Sequence, residues 1–207
     1  VYDPRYTFVD YCTDRDLGSP EVDRTVAALQ GILQEKDCQK AFEALKERRS
    51  LILSSMELTN IDPLTGLDGL EALVMSDNVI ADLRPLATLK NLKVLSLTHA
   101  GVKDISVLAE LRNLQVALLA SNQITDLTPL KDSTALHTLG LAHNPIRDIS
   151  PLRELSQLKD YNSWDGLWLD QIALGTELAA TDSSCPVGAE VSSAVAQFCQ
   201  NLRAEQQ

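Results

Sequence analysis

Residues 73–94 read LVMSDNVIADLRPLATLKNLKV, residues 95–116 LSLTHAGVKDISVLAELRNLQV, and residues 117–138 ALLASNQITDLTPLKDSTALHT. Aligned, they share a period of 22 residues, with further copies starting at Leu51 and Leu139 and a fading sixth from Tyr161. One column holds Leu58, Ile80, Val102, Ile124 and Ile146; another holds Leu64, Leu86, Leu108, Leu130 and Leu152; a third holds Leu70, Leu92, Leu114, Leu136 and Leu158. Several apolar columns in phase over five copies are the signature of a repeat array, in which each unit buries its apolar face only against its neighbours.

The polar columns carry mechanical readings. Asn78, Asn122 and Asn144 fall where each unit turns out of its strand, where an inward amide can satisfy backbone groups the turn leaves unpaired. The third unit has Ala100-Gly101 at that point, so a gap in the ladder is expected there. Asp82, Asp104, Asp126 and Asp148 each precede a short apolar turn, usually with proline (Pro85, Pro129, Pro151). That pattern predicts a capping carboxylate opening a brief helical or 3₁₀ turn, rather than a metal ladder.

The pattern LxxLxLxxNxIxDLxPLxxLxxL resembles the 22-residue class of leucine-rich repeats, known from bacterial internalins and eukaryotic phosphatase regulators. The resemblance covers roughly residues 51–160. It implies an α/β right-handed leucine-rich-repeat solenoid with a parallel concave sheet and 3₁₀ or short helical turns on the convex side. It also implies partner binding on the concave side.

A solenoid exposes its core at both ends and needs caps there. Residues 1–50 are read as an N-terminal helical cap. Ser19-Pro20-Glu21 is a helix start, Val26, Leu29, Ile32 and Leu33 share a face, and one or two helices are expected from about residue 20 to 49. A helical N-terminal cap is also what internalins have. Residues 161–207 are read as a partial sixth repeat followed by a helical cap from about Pro186 to Leu202. In that sixth copy Trp164 falls in register with an outward column and Trp168 with the column of Ile146.

The four cysteines avoid the repeats: Cys12 and Cys38 lie before them, Cys185 and Cys199 after. A zinc site usually brings cysteines as close pairs. Two bridges, Cys12–Cys38 and Cys185–Cys199, are expected instead, fastening the two ends and pointing to an oxidising compartment. Four free thiols in a cytosolic protein are the alternative. The chain opens Val1-Tyr2-Asp3, a start that removal of a signal peptide would leave, as would any trimming.

A formal net charge of −11 disfavours nucleic-acid phosphate and anionic lipid as partners, and no apolar run is long enough to span a membrane. The acidity is heaviest after the repeats, where Asp165, Asp170, Glu177, Asp182, Glu190 and Glu205 face a single base, Arg203. Histidines offer no metal site: His99 and His143 share a column but stand two repeats apart, at about 10 Å. No nucleophile elbow, zinc-binding helix or phosphate loop is present, so neither catalysis nor a cofactor is expected.

Alternation along the strands sets Ala72, Val94, Val116 and Thr138 outward in one column, and Ile52, Val74, Ser96, Leu118 and Gly140 in the next. Val74, Val94, Ser96, Val116 and Leu118 are the expected partner-binding floor, with Trp164 as aromatic anchor, since every aromatic residue lies outside 51–160. The combined reading is a monomeric, non-enzymatic, extracytoplasmic bacterial protein, secreted or periplasmic, that binds a protein partner. The alternatives are a cytosolic regulatory subunit, of a phosphatase for example, and a carbohydrate or cell-envelope binder.

Overall fold

A computed structural model describes residues 2–14 and 16–152, Leu155, Leu158 and the backbone of Leu167–Trp168. Three helices come first: α1 (Phe8–Thr13), α2 (Pro20–Leu33) and α3 (Cys38–Lys46). Then strands alternate with 3₁₀ turns: β1 (Ser50–Ile52), β2 (Ala72–Val74), β3 (Val94–Ser96), β4 (Val116–Leu118), β5 (Thr138–Gly140) and β6 (Leu167–Trp168). The strands form one parallel sheet in chain order. From β1 to β5 the register advances by the sequence period, pairing Leu51 with Leu73, Leu73 with Leu95, Leu95 with Ala117 and Ala117 with Leu139.

Each unit survives only by stacking. The inward strand residues and the three apolar columns are buried throughout, from Leu51 to Leu158. A fully buried leucine contributes about 1.5–3 kcal/mol, so a three-residue strand with too few backbone bonds to stand alone is held by its side chains. The 3₁₀ turns Asp62–Leu64, Arg84–Thr88, Ser106–Glu110, Thr128–Leu130 and Ser150–Leu152 return the chain on the opposite side. The aspartate column opens four of them. Oδ1 of Asp82, Asp104, Asp126 and Asp148 accepts the N–H two residues on, from Arg84, Ser106, Thr128 and Ser150, at 2.8–2.9 Å. In the first unit Asn60 does the same for Asp62 at 2.8 Å. These side chains cap one position earlier than an N-cap residue, as Asx turns.

The N-terminal cap has one helix more than the sequence indicates. The stretch before α2 carries α1, whose Phe8 and Tyr11 are buried against the first repeat and α3. Phe8 stacks on Phe42 of α3 with ring centroids 6.5 Å apart. Tyr11 is buried enough that its phenol is pushed up to about 12, with Asp62 adding to the effect. The expected Cys12–Cys38 bridge joins α1 to the first residue of α3. Ser19 caps α2 as expected, accepting the Val22 N–H at 3.4 Å.

The sixth copy departs from its expected register. The period would set Tyr161 beside Leu139, but Leu167 pairs there and Trp168 pairs with Gly140. The extra residues before β6 have no counterpart in earlier units. Trp168 therefore takes the register position beside Gly140, not the Ile146 column. Trp164, the Cys185–Cys199 bridge and the C-terminal helix lie outside the described residues.

Candidate functional site

The outward face of the sheet is built from two residues per strand plus the column that follows, and apart from Ser96 it is open over β1 to β4 but buried at Thr138 and Gly140 of β5. Because successive strand residues point to opposite sides, Leu51, Leu73, Leu95, Ala117 and Leu139 go inward and their neighbours outward. The outward set of β1 to β5 is Ser50, Ile52, Ala72, Val74, Val94, Ser96, Val116, Leu118, Thr138 and Gly140. None is charged, and neither is the next column of Ser54, Ser76, Thr98, Ala120 and Ala142.

The structure places the expected floor residues on this one face, but they are not equals. Val94 and Val116 are half-buried register partners, and Leu118 is 36% exposed beside them. Val74 stands next to Ile52, which is 67% exposed. Ser96 is buried at 7% and shares a 2.9 Å hydroxyl–hydroxyl hydrogen bond with Ser76, so its polar group is already engaged. Ser96 thereby divides its column into two apolar steps, Ile52–Val74 on one side and Leu118 on the other. Leu118 leans over Gly140, with its Cδ2 3.5 Å from where a Cβ on that glycine would sit. Ile52, the most exposed large apolar side chain on this face, stands in an outward column but is not among the residues the sequence singles out, because being at the end of a sheet is not a local property.

A charged rim on one side and a polar one on the other border the neutral floor. On the side entering the strands, Lys93 Nζ donates to Glu71 at 2.8 Å while Arg49 lies 3.7 Å from the same carboxylate. The Lys93 ammonium holds the Glu71 carboxyl below its ordinary range. On the leaving side runs a row of left-handed residues, Ser55, Asp77, His99, Ser121 and His143, all with φ of 55–57°. Asp77 Oδ1 and His99 Nδ1 are 3.0 Å apart there, both exposed. His137 Nδ1 is instead 3.0 Å from Thr138 Oγ1. Among the described residues no group of histidine, cysteine or acidic side chains could hold a metal ion, and no helix is long and apolar enough to cross a membrane.

Beneath the leaving rim lies the asparagine ladder. Asn122 Oδ1 accepts from Val102 and Ala100 N–H at 2.9 and 3.1 Å, while Nδ2 donates to the carbonyls of Leu97, Leu119 and Ala120. Asn78 does the same for Leu58, Met56, Leu53, Met75 and Ser76, and Asn144 accepts from Ile124. A second asparagine pair, not evident from the sequence, sits near the end of the return: Asn91 and Asn113 donate to the Asp68 and Lys90 carbonyls. With Gly69 and Ala135 in the same column, it leaves too few copies to read.

A family model described as leucine-rich repeats in two copies matches residues 112–154. Among solved structures, an internalin (inlF) from Listeria monocytogenes superposes with a TM-score of 0.66 at 23% identity, over 84% of this chain and 50% of that one. The chain has the leucine-rich-repeat solenoid fold of the internalin kind. Internalin C2 from the same organism has a TM-score of 0.56 at 26% identity, over 78% of each chain. The leucine-rich-repeat chain thus spans half the length of the first internalin and more of the second. No curated protein matches its sequence. The leucine-rich-repeat fold accounts for the sheet, the 3₁₀ returns and the amide ladder alike.

Proposed function

We propose that this leucine-rich-repeat chain is a non-enzymatic protein-interaction module that holds a partner protein against its concave sheet. One observation carries the reading: an uncharged floor with Val74, Val94, Val116 and Leu118 open or half-open to solvent between a charged rim and a polar one. A surface under selection only for solubility would place lysine and glutamate on outward strand positions, and contiguous apolar surface of this kind marks interaction sites. The internalin-like fold supports the same reading, since repeat solenoids present their sheet as an extended binding surface.

The partner docks its apolar side chains on the Val94–Val116–Leu118 step and makes polar contacts with the rims, Glu71 and Lys93 on one side and Asp77 and His99 on the other. The Cys12–Cys38 bridge supports an extracytoplasmic setting, secreted or periplasmic, and weighs against a cytosolic regulatory subunit. The aromatic-free floor of β1 to β5 weighs against a sugar binder, which needs rings for stacking.

Affinity capture from the source organism's extract and medium tests the proposal, comparing the native chain with Leu118→Glu. The expected result is a protein retained by the native chain and lost from the folded variant. Equal capture by both would move the binding site off the concave floor.

A further inference from the structure

The end of the sheet at β1 is an open edge. The bonds that tie it to β2 use one set of backbone groups: Leu53 N–H donates to Val74 C=O, Ser55 N–H to Ser76 C=O, and Ala72 N–H to Arg49 C=O. Since these groups alternate in direction along a strand, the N–H and C=O of Ser50, Ile52 and Ser54 face away from the sheet. Among the described residues the cap helices make their main contacts elsewhere, α2 reaching only the leaving end, where Arg24 donates to Glu57 C=O at 3.0 Å. α1 and α2 pack on the 3₁₀ turn Asp62–Leu64, and Thr25 of α2 donates to Asn60 C=O beside it. Ser50 is exposed, and Ile52 at 67% is the most exposed large hydrophobic residue among those described.

Proteins ordinarily protect such an edge with a charge, a proline or a bulge. Here residues 50–54 carry none of these and read Ser-Leu-Ile-Leu-Ser, the same in both directions. A symmetric two-fold contact requires a surface complementary to itself, and this stretch is. Set antiparallel about Ile52, two copies oppose Ile52 to Ile52 and Ser50 to Ser54, with the outward backbone groups of one strand meeting those of the other. Arg48 and Arg49 lie at the entering end of the strand, and Glu57 beyond the leaving end is already paired with Arg24 at 3.4 Å. A parallel partner would set the two arginines of each copy against those of the other, whereas an antiparallel partner separates them.

We infer that this chain forms a two-fold homodimer by edge-to-edge pairing of β1, joining two repeat sheets into one. The inference departs from the monomer expected of the sequence and does not rest on the partner-binding reading. It uses the sheet's end, whereas that reading uses Val94, Val116 and Leu118 further along. The contact is short, so the dimer is weak and dilutes apart.

Sedimentation equilibrium over a wide concentration range tests it on the full chain. The native protein is expected to rise from monomer to dimer mass. Ile52→Lys, which sets like charges opposite each other across the dyad, is expected to weaken association at least about tenfold. Ile52→Pro removes an N–H that β2 does not use and is expected to do the same. Circular dichroism checks that both variants keep their fold, and Leu118→Glu is expected to dimerise normally. A native chain that stays monomeric throughout overturns the inference. So does a dimer that both Ile52 variants leave intact, or one that Leu118→Glu abolishes while they do not.

Discussion

The second and fourth repeats and the third solve the same problem in two ways. In the turns carrying Asn78 and Asn122, a side-chain amide reaches back into the preceding unit, and the following N–H, of Val79 or Gln123, donates to Leu58 or Val102 C=O. The third unit has no asparagine at this turn. There the corresponding peptide, between Ala100 and Gly101, is turned over, and its carbonyl accepts Ile80 N–H at 2.8 Å. A main-chain oxygen stands where Asn Oδ1 stands elsewhere. The reversal needs a left-handed residue, and Gly101 supplies it with φ of +71°. The gap expected in the ladder is therefore a gap in side chains only. What is constant from unit to unit is the demand for an acceptor, not the residue that meets it.

The comparison can be broken most severely at Asn122. Asn122→Ala would leave Ala100 and Val102 N–H and the Leu97 carbonyl without their partner in a buried turn. Unfolding in urea is expected to show a loss of about 3–5 kcal/mol with little change in slope, at about 1–3 kcal/mol per orphaned group. Gly101→Gln attacks the other solution by putting a Cβ on the left-handed residue, and should cost about 1–2 kcal/mol. If that variant is neutral, the reversed peptide is not what glycine is there for. The double change Ala100→Asn with Gly101→Gln rebuilds the commoner turn, and should recover the loss and stabilise the chain by about 0.5–1 kcal/mol. A double variant no better than Gly101→Gln alone would show that the two turns are not interchangeable.

The smallest effect belongs to the asparagine-bearing units. The Thr128 hydroxyl and N–H hold the Asp126 carboxyl below its ordinary range, and the Arg84 guanidinium does so for Asp82. A carboxyl lowered on folding contributes fully above its unfolded value, near 4, and its contribution fades as pH falls through the folded value. The melting temperature is thus expected to be level from pH 7 to about 5 and to decline below about 4. Asp126→Asn, which keeps the acceptor without the titration, should flatten part of that decline.

What could be read in advance followed from repetition. A column such as Leu64, Leu86, Leu108, Leu130 and Leu152 states one packing role five times, and the aspartates before the turns state another. Single events were harder. α1 is six residues long, too short for a helical period to show, and owes its existence to Phe8 and Tyr11 finding the first repeat. The sixth strand slipped to Leu167 because a fixed period says nothing about where the period stops holding. In the candidate site, strand alternation told which residues of each strand point outward. Exposure within that face depended on neighbours that no spacing reveals: Ser76 beside Ser96, Leu118 over Gly140, and no further strand beyond Ile52 among the described residues.

Gly69 shows where the array can grow. A Cβ there would lie 2.7 Å from the Lys46 carbonyl, so the cap's own backbone occupies the space that Asn91 and Asn113 fill with side chains one and two units on. A gene duplication copying an interior unit into the middle of the array would meet matching neighbours on both sides. The same unit spliced in next to the cap would bring an asparagine into a main-chain carbonyl. Lengthening by recombination is thus open within the array and closed at its first unit, which is tailored to the cap and inherited with it.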